Sequence, residues 1–321
     1  MKAKAVAPAN IAFIKYWGKY NEKLRLPANS SISMNLSNCI TETSVEFDEK
    51  LKCDKFTLDG HGVKEDESKR VFKHLDMIRQ IAGIKIFAKV DSKNNFPKAS
   101  GIASSASGFA ALTVAGVAAA GIKLSQKDLS ILARIGSGSA CRSIPDGIVE
   151  WRFGKTDKTS YAVSLYPTNY WDLTDLIAVV GSGEKKVGSS EGHKLADSSP
   201  FYNARILGMP KKVREIKTAF KNKDFTKLGE IIEAEAINMH TVMMTSTPPL
   251  FYWLPETLAV TDLVLKMRER GIESYFTIDA GPNVHIICER KNTEKIKKEL
   301  IKTKNIKKII ENKVGEGTHL I

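Results

Sequence analysis

Long hydrophobic runs are missing from this 321-residue sequence, and none of its apolar stretches approaches the ~20 residues that a membrane-spanning helix needs. Apolar residues make up 42% of the chain and charged residues 26%, which is typical of soluble globular proteins. Met1-Lys2-Ala3-Lys4 leads straight into an apolar segment and does not have the pattern of a signal peptide. We therefore expect a cytoplasmic protein without membrane contacts, long enough to form two domains of ordinary size.

Cysteine is scarce, and its four positions show no Cys-x-x-Cys pair and no histidine at metal-ligand spacing, so neither a zinc site nor a redox motif is predicted. We expect reduced and mostly buried thiols at Cys39, Cys53, Cys141 and Cys288. In a hyperthermophilic source an intracellular disulfide would become an option, and Cys39 with Cys53 is the pair to test first.

Acidic residues are outnumbered, with 36 Asp plus Glu against 49 Lys plus Arg and a formal net charge of +13. This excess would attract polyanions such as ATP, and it would also suit nucleic acid. Many lysines lie in residues 295–302, where Ile296, Leu300 and Ile301 have the spacing of an amphipathic helix. Aromatic residues do not alternate with basic ones, so we do not expect a nucleic-acid partner. A basic nucleic-acid-binding or noncatalytic ATP-binding protein remains the competing class.

The most informative feature present is an isolated carboxylate, in Ile278-Asp279-Ala280-Gly281-Pro282-Asn283. The patterns of residues 274–278 and 284–288 predict strands, so Asp279 lies where a turn joins two buried segments. An unpaired charge there would be costly, so the carboxylate is a candidate for a functional role. Taken alone, an aspartate before Gly-Pro favours a turn-forming residue that hydrogen-bonds to its own loop, and the functional interpretation depends on other segments of the sequence.

Two lysines interrupt the apolar segment near the amino terminus, which contains Lys15-Tyr16-Trp17-Gly18-Lys19. A lysine enters such a segment when its ammonium group reaches water or an anion. Lys15 and Lys19 with Tyr16 between them have the donors to hold a phosphate group. A lysine that merely reaches solvent at a strand end is the alternative.

A run of small residues at positions 97–108 opens an Ala-rich segment that reaches Ile122. It predicts an anion-binding loop at a helix N-terminus, where free N–H groups and the helix dipole favour a phosphate. Ser104 and Ser105 can add hydroxyl contacts to a phosphate or metal ion. The run matches neither Walker A nor the Rossmann fingerprint, and tight helix packing is the alternative.

A second glycine- and serine-rich run, Gly136-Ser137-Gly138-Ser139-Ala140-Cys141-Arg142-Ser143, follows a short helix for which Ser125 and Asp128 predict the cap. Arg142 is its only charged side chain, and the planar guanidinium suits a carboxylate or phosphate. An arginine that pairs with the last carbonyls of a helix is the alternative.

These segments together resemble the diphosphomevalonate decarboxylases, a family within the GHMP kinase superfamily. The resemblance covers residues 7–19, 26–33, 95–108, 137–151 and 279–283. Lys-Tyr-Trp-Gly-Lys, Gly-Ser-Gly-Ser-Ala-Cys-Arg-Ser and Asp-Ala-Gly-Pro-Asn are specific to the decarboxylases, whereas Gly-Ile-Ala-Ser-Ser-Ala is shared with the superfamily's kinases. The resemblance implies a two-domain α+β, GHMP kinase-like fold, with domains 1–177 and 178–321 and a cleft between them for ATP and substrate.

The resemblance also implies a reaction, in which ATP with Mg²⁺ phosphorylates the tertiary hydroxyl of mevalonate 5-diphosphate, and loss of phosphate and carbon dioxide leaves isopentenyl diphosphate for isoprenoid biosynthesis. Asp279 matches an aspartate that orients or deprotonates this hydroxyl, and Lys15 a lysine that stabilises Asp279 or the phosphoryl group. Arg142 matches an arginine that holds the substrate carboxylate. The remaining matches are expected on phosphates: Tyr16, Lys19, Ser139 and Ser199 on the substrate, and Gly101, Ala103, Ser104 and Ser105 on ATP, with Ser105 also on the metal ion.

Three departures from the family pattern leave the substrate open. Ile144-Pro145-Asp146-Gly147 follows Arg142, where it stiffens the loop and brings a negative charge near the arginine. Lys98 stands where Thr is common, and His193 where Met is common. The alternatives are a decarboxylase of mevalonate 5-phosphate, an ATP-independent decarboxylase of mevalonate 3,5-bisphosphate, or a mevalonate kinase, against which Asp279 argues. A homodimer is also left open.

The hydrophobic pattern predicts further elements. The predicted strands are 43–47, 85–90 and 176–180, and the predicted helices are 211–222, 227–244 and 256–270.

Overall fold

The structure, a computed structural model, describes residues 1–63, 65–96, 104–181, 187–304 and 306–321, without the side chain of Glu67. Its strands are β1 (Lys2–Ile14), β2 (Lys19–Asn21), β3 (Leu26–Pro27), β4 (Ser31–Phe47), β5 (Lys55–Leu58), β6 (His61–Gly62), β7 (Ala88–Asn94), β8 (Ile148–Trp151), β9 (Ala162–Tyr166), β10 (Leu173–Val179), β11 (Tyr275–Thr277), β12 (Val284–Glu289), β13 (Lys308–Lys313) and β14 (His319–Leu320).

The α-helices in the same ranges are α1 (Glu65–Ala82), α2 (Ser104–Ala119), α3 (Gln126–Gly136), α4 (Ser189–Gly192), α5 (Tyr202–Asn222), α6 (Phe225–Met244), α7 (Pro255–Glu269) and α8 (Thr293–Lys302). Short 3₁₀ helices cover Gly138–Ser143, Asp157–Thr159, His193–Ser198 and Arg290–Asn292. None of the helices in the described ranges has both the length and the apolar character that crossing a bilayer requires.

The larger sheet has the strand order β14-β1-β4-β7-β5-β6, with β8 paired to β4 and β9 to β8. Only the β5–β7 pair is parallel among the described pairs of this sheet. β1 and β4 pair from Lys2 opposite Glu46 to Ile14 opposite Ile32. The last strand, β14, pairs with β1, so the carboxyl-terminal residues complete the first sheet.

Helix α2 packs across β1 and β4 and is flanked by α1 and α3. Its residues are buried over most of the helix surface and are rich in alanine, as expected for a helix enclosed by neighbours. The predicted cap of α3 is confirmed, because Ser125 Oγ accepts a hydrogen bond of 3.1 Å from the Asp128 N–H.

The second sheet has the order β11-β12-β10-β13 and is antiparallel, with α6, α7 and α8 packed against it. One apolar core contains Ile11 and Phe13 of β1 together with Ile177 of β10 and Phe220 of α5. The rings of Phe13 and Phe220 are stacked with centroids 6.0 Å apart. Because of this shared core, the end of β1 lies next to α5 and α6. The residues that follow β1 therefore begin beside these two helices.

The mixed helices and sheets confirm the predicted α+β class, while several element boundaries were wrong. The predicted strand at 43–47 is only the end of β4, and the strand at 85–90 begins later, at Ala88. The predicted helix at 211–222 starts at Tyr202, because Pro210 is accommodated inside α5 instead of opening it. The predicted domain boundary at residue 177 falls within β10 and stays a prediction.

All four cysteines lie in the described ranges and are free. Cys39, Cys141 and Cys288 are buried, which confirms the prediction of mostly buried thiols, whereas Cys53 is exposed. No disulfide therefore joins Cys39 to Cys53 in the described structure.

Candidate active site

An ion pair between Lys15 and Asp279 forms the centre of the site. Lys15 Nζ lies 2.6 Å from Asp279 Oδ1, and the two side chains are 1% and 22% exposed. Lys15 comes directly after β1, and Asp279 follows β11 by two residues. The structure therefore brings together two predicted catalytic residues from the two sheets.

The turn that carries Asp279 is held by hydrogen bonds from three directions. The Gly281 N–H donates to the Asp279 carbonyl at 2.7 Å, and His240 Nε2 of α6 lies 3.2 Å from the same oxygen. Asn283 Oδ1 accepts from the N–H groups of Val180 and Gly181, at 2.8 and 3.2 Å. These contacts fix the turn against α6 and the end of β10, so the Asp279 carboxylate has a defined direction.

Arg142 lies beside this pair in the 3₁₀ helix Gly138–Ser143 and is only 3% exposed. Its Nε and Nη2 donate to Asn10 Oδ1 at 3.2 and 3.0 Å, and its Nη1 donates to Ser31 Oγ at 2.9 Å. Within the described ranges no carboxylate forms an ion pair with Arg142. A buried guanidinium held by neutral groups retains a strong attraction for an anion that enters the site.

The charges of the three residues influence one another. Burial alone would raise the pKa of Asp279, but the neighbouring Lys15 ammonium outweighs burial and holds the pKa of this carboxyl below its usual value. Lys15 is more deeply buried, and burial lowers its pKa even though Asp279 opposes this effect. Asp279 is therefore a carboxylate at neutral pH.

Tyr16 lies between aromatic neighbours at the edge of the site. Its ring meets Trp151 edge-on with centroids 4.6 Å apart and lies 4.1 Å from the His193 ring. A Cβ at Gly138 would come within 2.7 Å of the Tyr16 ring, so only glycine permits this approach. Burial raises the pKa of Tyr16, which makes its hydroxyl a neutral hydrogen-bond donor.

The other residues predicted to contact substrate phosphates make contacts to protein groups in this structure. Lys19 Nζ forms an ion pair of 2.7 Å with Glu22. Ser139 belongs to the same 3₁₀ helix as Arg142, and its carbonyl accepts a 3.2 Å hydrogen bond from Asn10 Nδ2. Ser199 Oγ lies 2.7 Å from Thr245 Oγ1, so its hydroxyl is already engaged.

A pocket opens at the start of α2, where Ser104 and Ser105 lie. Ser105 Oγ is 3.2 Å from Ser137 Oγ, which links the two serine-rich runs of the sequence. The predicted contacts Gly101 and Ala103 lie outside the described residues, as does Lys98. The apolar residues that line the pocket are Phe56, Leu58, Val71, Val90, Phe109 and Leu112, and the other lining residues are Thr41, Arg70, Ser92, Asn94, Ser104, Ser105 and Gly108.

Asp146, which was predicted to bring negative charge near Arg142, forms no ion pair with this arginine in the described structure and instead contacts the carboxyl-terminal segment. Asp146 is exposed, and its Oδ1 accepts a 2.6 Å hydrogen bond from the Gly317 N–H. Asn35 Nδ2 donates to the Pro145 carbonyl at 2.7 Å, so this departure from the family pattern packs against the β4 side and the carboxyl-terminal segment.

Comparisons with known proteins agree with this geometry. The model of the diphosphomevalonate decarboxylase-like N-terminal domain matches residues 7–162, and that of the mevalonate 5-diphosphate decarboxylase C-terminal domain matches residues 175–320. The chain belongs to the diphosphomevalonate decarboxylase family. The diphosphomevalonate decarboxylase of Debaryomyces hansenii is 36% identical over 314 residues, covering 92% of this chain and 81% of that protein.

Solved structures from this decarboxylase family superpose over the whole chain. A structure described as MDDEF in complex with MVAPP, AMPPCP and magnesium is 44% identical with a TM-score of 0.94, covering 100% of this chain and 99% of that one. A mevalonate diphosphate decarboxylase from Enterococcus faecalis is 42% identical with a TM-score of 0.94, at the same coverage. The predicted GHMP kinase-like fold is thereby confirmed.

Three residues of this decarboxylase-family chain that surround the ion pair were missed by sequence reasoning: Asn10, Glu235 and His240. Asn10 is a lone amide in an apolar strand, a signal like the one that revealed Lys15. Glu235 and His240 carry a weaker signal, since each is a polar residue on the buried side of α6. That side is recognisable only once the packing of α6 is known.

Proposed function

We propose that this chain catalyses the ATP-dependent decarboxylation of mevalonate 5-diphosphate to isopentenyl diphosphate. The tertiary hydroxyl oxygen attacks the terminal phosphorus of ATP and ADP leaves. The C–O bond to the new phosphate then breaks, and the electron pair of the bond to the carboxylate forms the double bond as carbon dioxide departs.

The observation that carries this proposal is the buried Lys15–Asp279 ion pair beside an arginine without a carboxylate partner in the described ranges. A substrate with both a hydroxyl group and a carboxylate matches the two halves of this site. The hydroxyl would approach Asp279, and the carboxylate would pair with the guanidinium of Arg142. A kinase for a substrate without a carboxylate would have no use for such an arginine.

The residue roles follow from charge and reach. Asp279, a carboxylate at neutral pH, orients the hydroxyl and accepts its proton as the oxygen attacks the terminal phosphorus. Lys15 directs the Asp279 carboxylate and offsets negative charge on the transferred phosphoryl group. The phosphates of the substrate contact Tyr16, Ser139 and Ser199. They also contact Lys19, whose ion pair with Glu22 is replaced by one with phosphate.

The pocket at the start of α2 fits ATP. Its apolar lining residues, such as Phe56 and Leu112, suit a purine ring, and the hydroxyl groups of Ser104 and Ser105 lie at the positive end of the helix dipole. Among the described residues no cluster of three acidic, histidine or cysteine side chains could hold a metal ion. Mg²⁺ would therefore be held by phosphate oxygens and the Ser105 hydroxyl, and it would neutralise phosphate charge during transfer.

Three organisational features belong to the same proposal. Residues 1–177 and 178–321 form two units with the catalytic groups between them, an assignment supported by Lys15 and Asp279 following strands of different sheets. A cytoplasmic location stays a prediction from the sequence. So does a homodimer, which light scattering would test by a mass of about twice the 35.5 kDa of the chain.

The test is to measure carbon dioxide and ADP from purified protein supplied with mevalonate, its 5-phosphate, its 5-diphosphate or its 3,5-bisphosphate, with and without ATP. Release that requires ATP and occurs with the diphosphate is the expected result. Release from the monophosphate, or from the bisphosphate without ATP, would replace the proposed substrate. ADP without carbon dioxide would make the chain a kinase, and no product from any of the four would overturn the proposal.

A further inference from the structure

We infer that Glu235 is a positioning residue for Lys15: it holds the backbone N–H of the lysine, and its negative charge stabilises the ammonium group. This inference rests on the proposed function, because it concerns a lysine that acts in that reaction. It goes beyond the roles of Lys15, Asp279 and Arg142, since Glu235 belongs to α6, a helix that packs against β1.

The backbone of Lys15 has no strand partner of its own, because β1 ends at Ile14. The Lys15 N–H instead donates to Glu235 Oε1 at 3.1 Å. Asn29 Nδ2 donates to the Lys15 carbonyl at 3.0 Å, and Arg205 Nη2 lies 3.4 Å from the same oxygen. Both backbone polar groups of Lys15 are therefore fixed by side chains, and the Glu235 bond comes from a helix.

Glu235 is itself held rigidly. Its side chain has no exposed surface, and it accepts from Arg205 Nη2 at 2.5 Å and from Lys212 Nζ at 2.7 Å. Burial raises the pKa of Glu235, but the two cations outweigh burial and lower it, so the residue is a carboxylate at neutral pH. Arg205 Nη1 is anchored in turn by Asn238 Oδ1 at 2.6 Å.

A carboxylate is a costly choice for this task, because a neutral amide could also accept the Lys15 N–H, and burying a charge requires the two cations. The charge has a use at Lys15, where burial and Arg142 lower the pKa while Asp279 and Glu235 raise it. When Asp279 accepts the substrate's proton, it no longer contributes negative charge. Glu235 then remains as the carboxylate that keeps the Lys15 ammonium protonated.

The test compares the pH profile of kcat in Glu235→Gln, Lys212→Met and Glu233→Gln. Glu235→Gln keeps an oxygen for the Lys15 N–H and removes the charge, so the alkaline limb should move to lower pH, with kcat reduced up to about 100-fold and KM little changed. Lys212→Met removes a cation from Glu235 at a partly exposed position, so the limb should move the opposite way. Glu233→Gln is the matched control: this glutamate of the same helix pairs with Arg268, and its loss should lower Tm without moving the limb.

Each outcome is decisive. Opposite shifts in Glu235→Gln and Lys212→Met with none in Glu233→Gln support the inference. If Glu235→Gln does not fold, Lys212→Met alone decides, and an unmoved limb in that variant overturns the inference. Wild-type protein without carbon dioxide release overturns the proposed function and this inference with it, whereas active wild type with unmoved limbs overturns only the role of Glu235.

Discussion

Lys15 Nζ and Asp279 Oδ1 lie 2.6 Å apart although the two residues are 264 positions apart in the chain. The contact joins the residue after β1 to the turn after β11, so it exists only when the two sheets share their core. It also decides the charge of Asp279, because the ammonium group lowers the pKa of a carboxyl group that burial would otherwise make a weaker acid.

The first prediction concerns Asp279→Asn, which keeps the size of the side chain but cannot accept the hydroxyl proton. We expect kcat to fall about 10²- to 10⁴-fold while the substrate still binds, because a general base acts chiefly in the transition state. Carbon dioxide release gives kcat, and titration calorimetry gives the affinity. Turnover within a few-fold of the wild type would remove Asp279 from the mechanism.

Arg142→Lys is the second prediction, because an ammonium group cannot reproduce the planar donors that contact Asn10 and Ser31. Loss of a charged hydrogen bond to the substrate carboxylate should lower kcat/KM about 10- to 100-fold. The control is Arg134→Lys at a buried arginine that donates to the carbonyls of Leu24 and Ser160. That change should lower Tm and leave KM unaltered, so equal kinetics in the two variants would argue against a carboxylate contact by Arg142.

The sequence predicted the centre of this site better than its surroundings, for a physical reason. Lys15 and Asp279 are charged residues in apolar segments, so their desolvation cost is visible from local pattern alone. Glu235 and His240 lie on an amphipathic helix whose orientation depends on packing against β1 and β11, which no local pattern specifies. The start of α5 was missed for a similar reason, since tertiary packing accommodates Pro210 inside a helix.

A third prediction tests the nucleotide pocket through Gly108 of α2. A Cβ added at this position meets no atom within 4 Å, and the residue lines the pocket. Gly108→Leu should therefore fold normally and fill the pocket, raising KM for ATP about tenfold or more, equivalent to at least about 1.4 kcal/mol. KM for mevalonate 5-diphosphate, the other substrate, should change little.

Gly108→Ala is the matched control for this change. Alanine in a helix interior is favoured over glycine by about 1 kcal/mol, so the free energy of unfolding should rise while KM for ATP stays near the wild-type value. An unchanged KM for ATP in Gly108→Leu would show that the nucleotide binds elsewhere.

The last prediction uses the buried histidines. Burial lowers the pKa of His74 and of His240 to about 3, and burial with the nearby cations Lys19, Arg25 and Arg142 lowers that of His193 well below its usual value. Their neutral rings make fixed contacts, such as His193 Nδ1 accepting from the Gly18 N–H at 3.0 Å. The unfolded chain binds a proton at each of these positions below about pH 6.5, whereas the folded chain does not.

The free energy of unfolding should consequently fall as pH drops from about 6.5 to 5, by about 1.4 kcal/mol per pH unit for each such histidine. Asp279 and Glu235, whose pKa values are lowered, lose their contribution only at more acidic pH, so this window reports histidines. Urea unfolding of His193→Met at several pH values should show a pH dependence of the free energy of unfolding that is reduced by about 1.4 kcal/mol per pH unit. A His193→Met slope equal to that of the wild type would mean that His193 is protonated in the folded protein.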